Sequence, residues 1–308
     1  MTRPDTSARR PQSGQEAAAS TTSATPQTSS PDRKSTLSPT AAPQTSFATA
    51  PKWPLAFVGA GGLVILITYF AVLLTQPATL GQDLGDTTLW VMLGYLAGAA
   101  LIVAGTVPLI PRRVYGMIPV AIALNVVIGQ VVGTMTPVPL YLDSIGTVIV
   151  GVLAGPAAGA LTGVLSNLIW GVTLGPSVIP FTAGAAFVGA AAGWAARLGA
   201  FRHLWSAIIA GAVIGIPTGA IAAPVAAYVY GGGLGVGTGG LVATLQAAGL
   251  EMLNATTVQS LISDTADKAI VFVLACVLLR TLPQRVLRRY PFTRWSLPKS
   301  AAAASADR

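Results

Sequence analysis

The stretch "GVLAGPAAGALTGVLSNLIWG", residues 151–171, decides the topology of the chain. Joined to 139–150 it reads as one kinked helix, because a proline is tolerated inside a membrane span. Turned at Gly155-Pro156 it reads as a hairpin of two spans, 139–154 and 157–175. The two readings invert everything downstream, so the charges that follow choose between them. A kinked span puts Arg197 and Arg202 on the outer side, and a hairpin keeps them inside with the other basic turns. Cytoplasmic loops carry the excess of Lys and Arg, so the hairpin is adopted.

A membrane chain is already implied by composition. Of 308 residues 53% are hydrophobic and 9% charged, with 34 glycines; soluble domains carry about a quarter charged residues. Spanning segments are expected at 55–75, 88–110, 117–135, 139–154, 157–175, 178–198, 204–230 and 264–282. An all-α integral membrane fold follows. With the N-terminus in the cytoplasm, the basic residues sort to the inner side with Lys268 as the exception. Asp83, Asp86, Asp143, Glu251, Asp264 and Asp267 sort to the outer side. Both termini are then cytoplasmic. The run "LVATLQAAGLEML", 241–253, makes only about 20 Å of helix, and 231–263 reads as an external glycine-rich loop with an amphipathic or re-entrant helix.

Residues 1–50, rich in Ser, Thr, Pro, Ala and Gln, are expected to be a disordered cytoplasmic tail. Residues 286–308 are expected to be a basic cytoplasmic tail. The first apolar run follows a polar tail, which does not read as a cleaved signal. One cysteine, Cys276, excludes an intrachain disulfide framework, and one histidine, His203, argues against a His-rich metal site. No metal or cofactor is expected.

Charge at membrane depth is costly and marks function by default. In "PVPLYLDSIG", 137–146, Pro139 is expected to open a helix, with Asp143 about one turn below the outer surface. A plainer reading makes Asp143 an acid that complements the helix dipole. Its company favours a site. Tyr141, Asn167, Trp170, Glu251, Asn254, Asp264, Asp267 and Lys268 all fall under the same leaflet. Singly they have bland readings: Trp170 in an interfacial belt, Asp264 as a cap, Asp267 and Lys268 as a solvated pair. Together they read as an externally open pocket. Its acidic wall would repel a polyanion, whereas a neutral or cationic ring could stack on Trp170 or Tyr141.

Glycine recurs every fourth residue at 151, 155, 159 and 163, then at 171 and 175, with Asn167 between. Gly189 and Gly193, and Gly211, Gly215 and Gly219, continue the pattern. Such stripes let helices approach closely in lipid. Internal packing is the plain use. A second use concerns the stripe Ala121, Asn125, Gly129 and Gly133, which reads as a face for docking another membrane protein.

The hairpin at 151–171 and the closing segment "SDTADKAIVFVLACVLLRTLP", 263–283, resemble the substrate-binding S components of energy-coupling-factor vitamin transporters. The resemblance covers about 115–285 and implies a six-helix substrate-binding core over 113–285. Two additional transmembrane helices at 51–112 would precede this core. It implies capture of a small water-soluble vitamin or related compound at the outer face, with "MTPVPLYL", 135–142, as a lid. The implied partners are a transmembrane coupling protein and two ABC-type ATPases. No GxxxxGK[ST] is present, so a P-loop of its own is excluded. Asn125 departs from the alanine-rich docking stripe of that family. Three other classes fit the sequence less well. A membrane sensor or scaffold module would need linker patterns that the tails lack. A lipid-modifying enzyme would show a clustered motif such as DDxxD. A stand-alone secondary transporter would show paired halves.

Overall fold

The structure is a computed structural model that describes residues 52–75, 86–110, 112–233, 235–287, 289–290 and 293. The expected tail at 1–50, Asp83, and most of the expected basic tail at 286–308 lie outside the described residues. Among the described residues the chain is helical without strands. Two long helices come first, α1 (Lys52–Thr75) and α2 (Asp86–Thr106). A single turn, α3 (Arg112–Tyr115), leads into α4 (Met117–Met135). Next come α5 (Ile145–Ala154) and α6 (Pro156–Thr173), then a 3₁₀ segment at Pro176–Phe181 and α7 (Thr182–Arg197). The described elements close with α8 (Leu204–Tyr228), α9 (Val236–Ala247), α10 (Met252–Thr281) and a short turn, α11 (Gln284–Leu287).

The hairpin at 155–156 is present. Gly155 adopts φ 98°, a left-handed conformation that glycine enters without a Cβ penalty. Pro156 then occupies the first position of α6, where its missing N–H costs nothing.

Among the described residues four segments are long and apolar enough to cross a membrane: Trp53–Ala71, Arg112–Met135, Pro176–Arg197 and Leu204–Tyr228. Leu93–Leu109 and Ile145–Ala154 are shorter apolar helices. Leu63, Ile67, Phe70, Val120, Val127, Val213 and Ile216 are exposed on α1, α4 and α8, giving the bundle an apolar outer surface. Helices with backbone groups satisfied internally and apolar side chains outward are what hydrocarbon permits. The fold is an all-α membrane protein.

Two expected boundaries are corrected. No helix opens at Pro139: α5 starts at Ile145 and has ten residues, about 15 Å. The backbone at 136–144 is held irregular by contacts described below. The last helix does not open at 264. It begins at Met252 and runs for 30 residues, so Asp264, Asp267 and Lys268 lie inside it.

Antiparallel neighbours meet through glycine. On α8, a Cβ at Gly215 would stand 2.5 Å from the Asp264 carbonyl oxygen and from the Thr265 Cα. One at Gly219 would stand 2.6 Å from the Ser260 oxygen, and Gly211 faces Lys268 and Ala269 in the same way. Only glycine allows this approach, and it fixes the register of α10 against α8. Between α6 and α7, Gly159 meets Gly189 backbone to backbone.

The α1–α2 pair is tied to the rest of the bundle. Tyr69 donates to the Ile221 carbonyl at 2.8 Å, and Tyr95, fully buried, donates to the Pro180 carbonyl at 3.1 Å.

Candidate functional site

A cavity of about 300 Å³ lies at one end of the bundle. Its walls come from the C-terminal halves of α4, α6 and α8 and from the N-terminal portions of α5, α7 and α10. The opposite ends of these helices carry the basic turns, where the Arg280 guanidinium donates to the Arg202 carbonyl at 3.0 Å.

α10 supplies the charged wall. Ser260, Asp264 and Lys268 recur at helical spacing and all line the cavity, on the face that the α8 glycines set in place. Asp267 is one position off that face and wholly buried. Its Oδ1 accepts two backbone hydrogen bonds, from Tyr141 N at 2.9 Å and Leu142 N at 2.7 Å. Its Oδ2 receives Lys268 Nζ at 2.5 Å. Leu142 has φ 50°, an uncommon conformation for a γ-branched residue. A left-handed residue here lets successive N–H groups converge on one carboxylate oxygen, forming an anion-binding nest. These contacts explain why 136–144 is not helical.

Asp143 follows the nest and lines the cavity, with Oδ1 3.7 Å from Lys268 Nζ. Asp264 Oδ1 lies 3.9 Å from the same Nζ. Three carboxylates therefore surround one ammonium.

The cavity floor is a hydrogen-bonded triad. Asn125, 0% exposed, donates through Nδ2 to Thr147 Oγ1 at 2.8 Å and to Ser166 Oγ at 2.9 Å. Its Oδ1 accepts from Gly146 N at 2.7 Å. Thr147 and Ser166 line the cavity, with Asn125 directly behind them. A buried polar group is tolerated when each of its partners is satisfied, as here.

The aromatic wall is Trp170. Gly129 makes room for it, since a Cβ there would stand 2.6 Å from the indole ring. Asn167 lines the same wall and donates to the Val178 carbonyl at 3.1 Å.

Of the residues singled out in the sequence, Tyr141, Asp143, Asn167, Trp170, Asp264 and Lys268 line one cavity. Glu251 and Asn254 do not. Because α10 begins at Met252, they sit at its exposed N-terminal end, away from the cavity lining. The stripe expected to dock a partner is also corrected. Ala121, Asn125 and Gly129 are buried, with Ala121 against Gly146 of α5, and Gly133 lines the cavity. The stripe packs inward because α5 needs its close approach. The outward face of α4 is instead Val120, Val127, Val131 and Met135.

Thr147, Ser166 and Ser260 were not picked out beforehand. The spacing Ser260–Asp264–Lys268 was visible in the sequence. Thr147 and Ser166 gave no signal, since single hydroxyls in apolar helices commonly bond their own backbone.

No protein-family model matches the chain, and neither does any characterised protein or solved structure.

Proposed function

We propose that the protein is a membrane-embedded capture subunit that takes a small water-soluble compound from the outer side. Uptake would then be energised by partner proteins. One observation carries this reading. Polar groups converge on a single cavity at one end of an otherwise apolar bundle, and the basic turns gather at the other end. The positive-inside rule makes the cavity end the external one. Polar side chains at membrane depth that line a cavity are costly unless they serve a solute or an ion.

The cavity's size suits a small ring compound, since ligand pockets begin at about 300 Å³. The sequence resemblance to S components of vitamin transporters supplies the partners, a transmembrane coupling protein and two ABC-type ATPases. Having no P-loop, the chain would depend on those ATPases for transport while binding its solute alone.

The test is purification of the full chain in lipid nanodiscs, followed by mass spectrometry of small molecules released on denaturation. The expected result is one compound in near-stoichiometric amount, lost from Trp170→Ala and from Asp143→Asn. Failure to retain any compound, with no uptake on co-expression with an energising module, would refute the reading.

A further inference from the structure

We infer that the cavity selects an organic cation, with Asp264 and Asp143 as its counter-charges and Asn167 as a hydrogen-bond acceptor. This rests on the capture reading and names the class of its substrate.

The first observation is charge balance. Asp143, Asp264 and Asp267 share a single ammonium, Lys268, so with all four groups ionised the cluster carries a formal charge of −2. The ammonium is not shared evenly. Lys268 Nζ sits 2.5 Å from Asp267, a carboxylate also held by two backbone N–H groups. The other two carboxylates stand 3.7 and 3.9 Å away, beyond hydrogen-bond distance. Lys268 and Asp267 thus form a closed pair, and the cavity faces the remaining acids.

The second observation is acceptors without donors. Asp264 is 6% exposed and lines the cavity, yet no described residue donates a hydrogen bond to it. Asn167 is 8% exposed, and its one hydrogen bond uses the amide nitrogen, leaving Oδ1 without a donor among the described residues. These oxygens are open to the cavity rather than sealed in protein, so their donor is water or a ligand. A ligand bearing N–H groups and positive charge supplies what both lack.

The third observation separates an organic from an inorganic cation. The centre of the carboxylate cluster is filled by Lys268, and among the described residues no group of His, Cys, Asp and Glu is arranged to hold a metal ion. Asp143 and Asp264 line the cavity together with Trp170, an aromatic side chain of the kind that attracts cations. An anionic ligand finds no free cation in this lining: Lys268 is its only Lys or Arg and is already paired.

The test uses the full chain in nanodiscs and three probes of one shape: benzamidine (cationic), benzamide (neutral) and benzoate (anionic). Thermal unfolding is followed against probe concentration, and any compound retained from the cells is identified by mass. Benzamidine is expected to raise the unfolding midpoint and benzoate to leave it unmoved. Asp264→Asn should weaken the benzamidine effect about tenfold or more, the loss of roughly one short-range charge contact. Asp264→Glu, which keeps the charge, should restore most of it and shows that loss in Asp264→Asn is not misfolding. Where none of the probes binds, the charge of the retained compound decides. Equal response to benzamide, preference for benzoate, indifference to Asp264→Asn, or retention of a neutral or anionic compound would overturn the cation assignment and leave the capture reading standing. No retained compound and no response to any probe would overturn both.

Discussion

Asp267 anchors the 136–144 segment, and removing it is the sharpest perturbation of the site. Its Oδ1 accepts from two backbone N–H groups at 2.9 and 2.7 Å. Hydrogen bonds to a charged acceptor contribute about 1.5–3 kcal/mol each. Asp267→Ala loses both. Their loss favours local opening by at least about 3 kcal/mol, or a hundredfold in an equilibrium constant. Asp267→Asn keeps an oxygen at Oδ1 and reduces each bond to the neutral value near 1 kcal/mol, so opening rises about tenfold. Amide hydrogen exchange of the peptide covering 136–144, in nanodiscs, reads this directly. The Tyr141 and Leu142 amides should exchange about a hundredfold faster in Asp267→Ala and distinctly less so in Asp267→Asn. Unchanged protection in Asp267→Ala, or equal effects in the two variants, would refute the nest.

Four further outcomes follow from the packing. Asn125→Ala orphans Gly146 N and removes the donor to Thr147 and Ser166, at about 1–3 kcal/mol per buried group; the denaturant midpoint in detergent should fall clearly. Gly215→Ala places a Cβ 2.5 Å from α10 backbone and should cost about 1–3 kcal/mol and shift Asp264. Gly240→Ala, with nothing within 4 Å on α9, should be neutral or stabilise by up to about 1 kcal/mol in the same assay. Tyr95→Phe removes the bond to Pro180 and should cost about 1 kcal/mol while leaving ligand retention unchanged.

Much of this was legible from residue order because lipid imposes few solutions. Charge sorting chose the hairpin at Gly155-Pro156, and glycines at 211, 215 and 219 announced a close helix contact. The partner of that contact was not legible, since spacing gives a face and not what it meets. Asp143 was placed at membrane depth by a helix that does not form there. The reason is 126 residues away in sequence, in the Asp267 carboxylate that captures the Tyr141 N–H. Asn125 was read as part of an outward stripe because it falls at the same four-residue interval as Ala121, Gly129 and Gly133. Its three hydrogen bonds turn it inward, and no local pattern records a partner on another helix. Glu251 and Asn254 were grouped with the site by leaflet alone; leaflet fixes depth and leaves direction around the bundle open.

The polar cavity is expected to open to the exterior. This is tested with Cys276→Ser, which removes the single native thiol, carrying either Ala222→Cys in the cavity lining or Leu198→Cys at the opposite, arginine-bearing end. A membrane-impermeant thiol reagent added to intact cells should modify Ala222→Cys and leave Leu198→Cys untouched until the cells are opened. Modification of Leu198→Cys alone from outside would put the cavity on the cytoplasmic side.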